Sequence, residues 1–268
     1  MLSRHPLLFY FAFAYAISWG GIGGLIASRQ LREASASQDF ILVFAAMALG
    51  PFLAGIIMTL ALDGREGFSG LWKRLIRWRV GVRWYTVALG TTPMVLLPVL
   101  WGLATFVGQD YAPRFQIELF AFGLLAGFFE EVGWSGFATH RLLTTHRWPV
   151  AGLALGVPWA AWHALADFDA NHASMGTLWF IWFAVFWLAA LPAYRLLMTW
   201  CYERTRSVFL GVLMHAAYTG WLFVLSPDLP VAVGLVWQGA FAVGLWLIVA
   251  LLVISQMARE GGHAAREA

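Results

Sequence analysis

Apolar residues fill most of the chain in long runs, and short polar stretches separate the runs. A bilayer core about 30 Å thick takes roughly 20 apolar residues per helix. By that measure the pattern predicts about eight transmembrane helices, at residues 6–28, 40–62, 84–108, 117–138, 149–166, 175–199, 207–226 and 230–256. No soluble domain fits between these runs. We therefore predict an all-α integral membrane protein that forms a single polytopic domain over residues 1–268.

The longest polar interruption, residues 63–83, mixes apolar and basic side chains. Leu71 and Leu75 alternate with Lys73 and Arg74 at helical spacing, which favours an amphipathic helix lying on the membrane surface. The alternative is a positively charged loop.

Composition supports the membrane assignment. The chain is 61% hydrophobic and 12% charged, with a mean hydropathy of +0.72, whereas soluble domains carry about 25% charged residues. A net charge of +3 spread over 268 residues does not indicate a nucleic-acid partner. The composition therefore excludes a soluble enzyme and points to the lipid bilayer as the main environment.

The basic residues are distributed unevenly between the two sides of the predicted bundle. With the N-terminus in the cytoplasm, 14 of the 17 Lys and Arg residues fall in cytoplasmic segments, and only Arg29, Arg32 and Arg114 fall outside. Cytoplasmic loops of membrane proteins carry such an excess of positive charge. The asymmetry predicts an even number of spans with both termini in the cytoplasm.

Three of the predicted helices carry ionisable side chains that a purely structural membrane helix would avoid. Glu130 and Glu131 lie in span 4, His163 in span 5 and His215 in span 7. Each charge at membrane depth costs at least about 2.5–3.5 kcal/mol, so such residues mark functional sites. Glu130 lies roughly 13 Å from the cytoplasmic helix end at 1.5 Å per residue. We expect a polar site between helices 4, 5 and 7, in the cytoplasmic half of the membrane.

The spacing within span 4 orients the two glutamates differently. Gly123, Gly127 and Glu130 share one stripe of the helix, and small residues four apart let a neighbouring helix approach closely. Glu131 is rotated by about 100° from Glu130, so it needs a different partner. Each histidine has a companion one turn away, Trp159 before His163 and Thr219 after His215.

These residue types permit two kinds of hydrolytic chemistry. A carboxylate and an imidazole around a water molecule form a general base, and a second histidine with a nearby hydroxyl can stabilise an oxyanion. Equally, Glu130, His163 and His215 form a ligand set for Zn²⁺ with an open fourth position. The sequence leaves metal-free and metal-assisted water activation open.

The order of these residues resembles a known family, the CPBP or ABI intramembrane endopeptidases, which include type II CAAX prenyl proteases and bacteriocin-processing proteins. The family motif Glu-Glu-x-x-x-Arg falls on Glu130, Glu131 and Ser135. Phe-x-x-x-His falls on Trp159 and His163, and His-x-x-x-Asn or Asp falls on His215 and Thr219. The segment EEVGWSGFATHRL, which includes Arg141, is similar to a common bacterial form, EEIGWRGFALPRL. The motif-bearing core is expected at about 117–226.

The resemblance implies a role for each motif residue. Glu130 would activate water with help from His163, while His215 and Thr219 would stabilise the oxyanion and Glu131 would give support. The family has been described both as metalloproteases and as metal-free glutamate enzymes. The implied location is a bacterial inner membrane. The implied partner is a peptide or protein substrate of the CAAX or bacteriocin-leader type, with or without a lipid group.

Ser135 departs from the family motif, because it stands where the motif has the arginine that would balance the glutamate pair. Arg141 is the nearest sequence candidate for that charge, although it lies closer to the interface. The departure keeps a second function open, a catalytically silent family member that acts as an immunity or scaffold protein. A third function is a proton-coupled transporter, since buried Glu and His residues also form proton relays.

Overall fold

The computed structural model describes residues 1–28 and 36–267, and these residues contain helices and turns but no strand. The α-helices, in chain order, are α1 (Pro6–Ser28), α2 (Ala36–Leu75), α3 (Val82–Phe106), α4 (Phe120–Gly133), α5 (His140–Leu142), α6 (Trp148–Trp162), α7 (Ala164–Met175), α8 (Leu178–Phe183), α9 (Ala190–Thr205), α10 (Val208–Leu225) and α11 (Val231–Glu267). Two π-helical segments, Trp134–Thr139 and Ala184–Ala189, join α4 to α5 and α8 to α9.

The all-α membrane fold predicted from the sequence is confirmed. Within the described residues, six helices are long and apolar enough to cross a membrane, and α6 with α7 makes a seventh if the pair, bent by 44°, counts as one span. The predicted fourth span corresponds to the continuous helix formed by α4, the first π-helical segment and α5. The structure is thus consistent with about eight spans.

The interval 63–83 contains an amphipathic helix followed by a non-helical segment, so both structures predicted for it are present. Helix α2 is interrupted at Gly64, whose φ of 59° is one that glycine adopts without strain. A second helical stretch then runs to Leu75, with Leu71 buried and Trp72 exposed, as expected for an amphipathic helix. Beyond it, residues 77–81 are not helical.

Helix α4 packs directly against α10 through its two glycines. A Cβ on Gly123 would lie 2.3 Å from the carbonyl oxygen of Ala216, and one on Gly127 would lie 2.5 Å from that of Val212. Neither position has room for a side chain. This close approach brings the C-terminal half of α4 against His215.

The two ends of the bundle differ in charge. At one end, which we call the basic end, Arg141 pairs with Asp63 at 2.5 Å and Arg77 donates to the carbonyl oxygen of Thr205 at 3.3 Å. At the other, the opposite end, Arg114 donates to the carbonyl oxygen of Ser226 at 3.0 Å. Arg29 and Arg32, predicted on the opposite side from the basic residues, lie outside the described residues.

Candidate active site

The glutamate pair lies at the C-terminal end of α4, where the backbone changes from α to π geometry. Glu130 and Glu131 are both buried, at 5% and 0% exposure. The π-helical segment begins three residues after Glu131, at Trp134, and π-helical turns inside α-helices occur frequently at functional sites. The wider turn keeps Trp134 and Ser135 directed toward the two carboxylates.

Glu130 is held by two indole groups. Its Oε2 accepts hydrogen bonds from Nε1 of Trp134 at 3.2 Å and from Nε1 of Trp159 at 3.0 Å. Its other oxygen, Oε1, lies 3.8 Å from Nε2 of His215. One oxygen is thus fixed by neutral donors, and the other faces an imidazole across a gap.

Glu131 has a different set of partners, as its rotation on the helix predicts. Arg195 binds both carboxylate oxygens, with Nη1 at 2.9 Å from Oε2 and Nη2 at 2.7 Å from Oε1. Ser135 also donates its hydroxyl to Oε2. Glu131 and Arg195 are both fully buried, and removing one partner of such a pair destabilises a protein by about 3–5 kcal/mol.

The sequence-based expectation that Arg141 could balance Glu131 is wrong. Arg141 pairs with Asp63 at the basic end and stacks its guanidinium 4.8 Å from the ring centre of Phe137. The charge comes instead from Arg195, which the positive-inside analysis had assigned to a cytoplasmic segment. Arg195 lay within the predicted span 175–199, and an arginine at membrane depth was the signal that could have identified it.

His215 bridges the two carboxylates. Its Nδ1 lies 2.9 Å from Oε1 of Glu131, and its Nε2 faces Glu130. Because a carboxylate only accepts, Nδ1 carries a proton and Nε2 is directed at Glu130. Thr219 lies one turn further along α10 on the same cavity wall.

His163 lies at the break between α6 and α7. Its Nδ1 donates to the carbonyl oxygen of Trp159 at 3.0 Å, and its ring stacks on Trp187 with centres 3.7 Å apart. Helix α1 stabilises the break, since Tyr15 and Trp19 donate to the carbonyl oxygens of Pro158 and Trp162 at 2.6 and 2.9 Å. With Nδ1 occupied by the backbone, Nε2 of His163 is the free nitrogen.

A cavity of about 590 Å³ connects these residues. Glu130, Trp159, His163, His215 and Thr219 all lie on its wall, so the structure brings together the four predicted catalytic residues and one predicted supporting residue. Glu131 and Arg141 are not part of the wall. The remaining surface is mostly aromatic and aliphatic, and it includes Phe122, Met47, Leu191, Leu222, Trp187 and Trp237.

The predicted zinc ligand set does not fit this geometry. In the described part of the chain, no group of three or more His, Cys, Asp or Glu side chains is arranged to hold a metal ion. The Nδ1 hydrogen bonds of His215 and His163 orient the two rings and leave each Nε2 available, but the three side chains are not grouped as a metal site. We therefore derive no step through a metal.

Comparison with known proteins agrees with this arrangement. Residues 112–221 match the protein family described as type II CAAX prenyl endopeptidase, Rce1-like. This segment contains α4 to α9 and most of α10, and therefore all of the motif residues. Over these residues the chain is similar to this CAAX prenyl endopeptidase family.

A CAAX prenyl protease 2 from Methanococcus maripaludis is 31% identical to the chain over 111 residues. The aligned part is 40% of this chain and 40% of that protein, so the chain matches less than half of the relative's own length.

Proposed function

We propose that the chain is an intramembrane endopeptidase that hydrolyses a peptide bond in a membrane-associated substrate. The single observation that carries the proposal is the position of Glu130. Its carboxylate is buried, is oriented by Trp134 and Trp159, and presents Oε1 to a largely apolar cavity opposite Nε2 of His215. A desolvated, oriented carboxylate next to an imidazole is the arrangement that general-base activation of water requires.

Charge balance assigns a proton to this pair. Glu130, Glu131 and Arg195 together carry one net negative charge, and one more proton shared between Glu130 and His215 makes the buried site neutral. A protonated His215 with an ionised Glu130 provides a base and a cationic donor side by side. Full neutrality also lowers the cost of burying the four groups.

The reaction then follows in two proton transfers. Glu130 takes a proton from water, with Nε2 of His163 as a second acceptor for that water, and the water oxygen attacks the scissile carbonyl. The oxyanion that forms accepts hydrogen bonds from His215 and from the hydroxyl of Thr219. Glu130 then returns its proton to the leaving amine, and the peptide bond breaks.

The apolar cavity favours a substrate segment that is itself apolar, with or without a lipid group. Because the related proteins are described as CAAX prenyl proteases, prenylated peptides are among the candidate substrates.

The alternative of a catalytically silent family member was motivated by the absence of an arginine at Ser135, and Arg195 supplies that charge. We propose that both termini lie in the cytoplasm, based on the distribution of basic residues, and that the membrane is a bacterial inner membrane, based on the similarity of EEVGWSGFATHRL to a common bacterial form.

The test compares purified wild-type protein with Glu130→Gln on quenched-fluorescent peptides, prenylated and unprenylated, with and without a chelator. Glu118→Gln, a carboxylate in the loop before α4, is the matched control. We expect turnover by wild type and by the control, and none by Glu130→Gln. A Glu130→Gln variant that turns over like wild type would contradict the proposed function, and loss of activity with chelator would contradict metal-free water activation.

A further inference from the structure

The guanidinium of Arg195 is fully buried between Glu131 and Trp159. Its two terminal nitrogens bind Glu131, and its plane lies 3.8 Å from the ring centre of Trp159. Arg195 is 0% exposed, and among the described residues its Nε has no hydrogen-bond partner. Arginine suits such a bidentate, stacked position because its guanidinium is planar and weakly hydrated. This specific burial of a cation indicates a role beyond packing.

Oxygen Oε1 of Glu131 connects Arg195 to His215. It accepts from Nη2 of Arg195 at 2.7 Å and from Nδ1 of His215 at 2.9 Å. The hydrogen bond at one nitrogen of a histidine decides which tautomer is present and where the other nitrogen points. Ionised Glu131 accepts from Nδ1–H more strongly than a protonated carboxyl group would, and Arg195 is the cation whose bidentate contact stabilises the ionised form.

Position 135, occupied by Ser135, is a second position from which a cationic side chain could contact the Glu131 carboxylate. It lies one turn beyond Glu131, and its hydroxyl already contacts Oε2. A longer side chain at this position has no free space in the present structure, because Ser135 is 2% exposed and a Cβ on Gly211 would lie 2.9 Å from its Oγ. A guanidinium at position 135 would therefore compete with Arg195 for the space beside Glu131.

We infer that Arg195 is a positioning residue, which acts through Glu131 to direct Nε2 of His215 at Glu130, and that it takes the place of an arginine at position 135. The inference rests on the proposed function. It makes positions 135 and 195 alternatives, so one guanidinium from either helix is needed and two are not tolerated.

The test is a double-mutant cycle on the same peptides. We expect Arg195→Ala to lower kcat about 10- to 100-fold, the range seen when the residues that orient metal-ligating histidines are mutated, with KM unchanged. Ser135→Arg alone should lose activity and thermal stability, because two guanidinium groups compete for one space. The double variant Ser135→Arg/Arg195→Ala should regain most of the kcat. Arg204→Ala, on the same helix but paired with Glu203 at the surface, should behave like wild type.

A second measurement does not depend on turnover. ¹⁵N NMR of histidine-labelled protein reports which ring nitrogen is protonated, and the loss of one signal in His215→Asn identifies His215 among the seven histidines. We expect Nδ1 of His215 to be protonated in wild type and in the double variant. In Arg195→Lys, which keeps a charge but loses the bidentate contact, we expect the proton on Nδ1 of His215 to be partly lost.

The outcomes separate this inference from the proposed function. A double variant that folds but is no more active than Arg195→Ala would overturn the inference, as would unchanged His215 protonation in Arg195→Lys. If Arg195→Ala fails to fold, a double variant that folds and turns over supports the inference, and one that also fails to fold overturns it. Activity in Glu130→Gln would overturn the proposed function, while the NMR result would still stand for Arg195.

Discussion

Trp159 contacts both Glu130 and Arg195, the arginine that binds Glu131. Its Nε1 donates to Glu130, and its ring covers the guanidinium of Arg195. The family motif has phenylalanine at this position, and phenylalanine could cover the cation but could not donate. In this chain the indole therefore holds Glu130 as well as packing in the core. The sequence comparison identified the position, but it gave no reason for the larger residue.

At this scale the sequence could predict which residues meet but not how they pair. The positions of Glu130, His163, His215 and Thr219 follow from their spacing on three helices, and all four line the cavity. The contact between Arg195 and Glu131 could not be derived, because it depends on how α9 packs beside α4 and α6. Residues of separate helices meet according to packing that no local pattern encodes.

The role of the Trp159 indole can be tested by replacing it with the motif residue. We expect Trp159→Phe to lower kcat and to reduce the free energy of unfolding by about 1.5–3 kcal/mol, the usual contribution of a hydrogen bond to a charged group. Trp148→Phe is the matched control. Trp148 lies on the same helix as Trp159, and its indole donates a hydrogen bond of 2.7 Å to Gln256 of α11. The control should lose stability only. Equal kcat values for the two variants would show that Glu130 does not depend on Trp159.

At the scale of the elements, the close packing of α4 against α10 sets the distance between Glu130 and His215. The small-residue stripe predicted that a neighbouring helix approaches α4 closely, and the structure shows that this helix is α10, whose backbone lies against both glycines. The two π-helical segments could not be predicted, because nothing in their residue pattern distinguishes them from α-helix. The first of them begins at Trp134 and places Ser135 against Glu131.

A methyl group on the α4 interface should move α4 and α10 apart. In Gly127→Ala the new Cβ would meet the Val212 carbonyl oxygen at 2.5 Å, and overpacking of this kind costs about 1–3 kcal/mol. We expect a lower melting temperature and a lower kcat. Gly102→Ala provides the control, since a Cβ there meets nothing within 4 Å, and it should be neutral or slightly stabilising. Wild-type behaviour of Gly127→Ala would mean that α4 and α10 can separate without cost to the site.

At the scale of the whole molecule, the cavity lies on one side of the layer formed by Glu130, Glu131, Arg195 and His215. From Glu130 and His215 it extends to Arg114, Gln116 and Ser226, which belong to the loops of the opposite end. Toward the basic end, the buried pair of Glu131 and Arg195 closes the layer. The sequence predicted the depth of the polar residues, but the direction of access depends on which side of that layer the helices leave open.

The geometry implies that substrate reaches Glu130 from the end away from the basic residues, which is the outer side if the positive-inside rule holds for this chain. We expect a membrane-impermeant maleimide to label Gln116→Cys in intact cells and to label Arg204→Cys only after the inner face is exposed. The native Cys201 is 1% exposed and should give little background. A large maleimide attached at Gln116→Cys should also block peptide turnover, because it occupies the cavity mouth. Labelling of Arg204→Cys in intact cells would reverse the orientation, whereas full turnover with the mouth blocked would mean that substrate enters sideways from the bilayer between the helices.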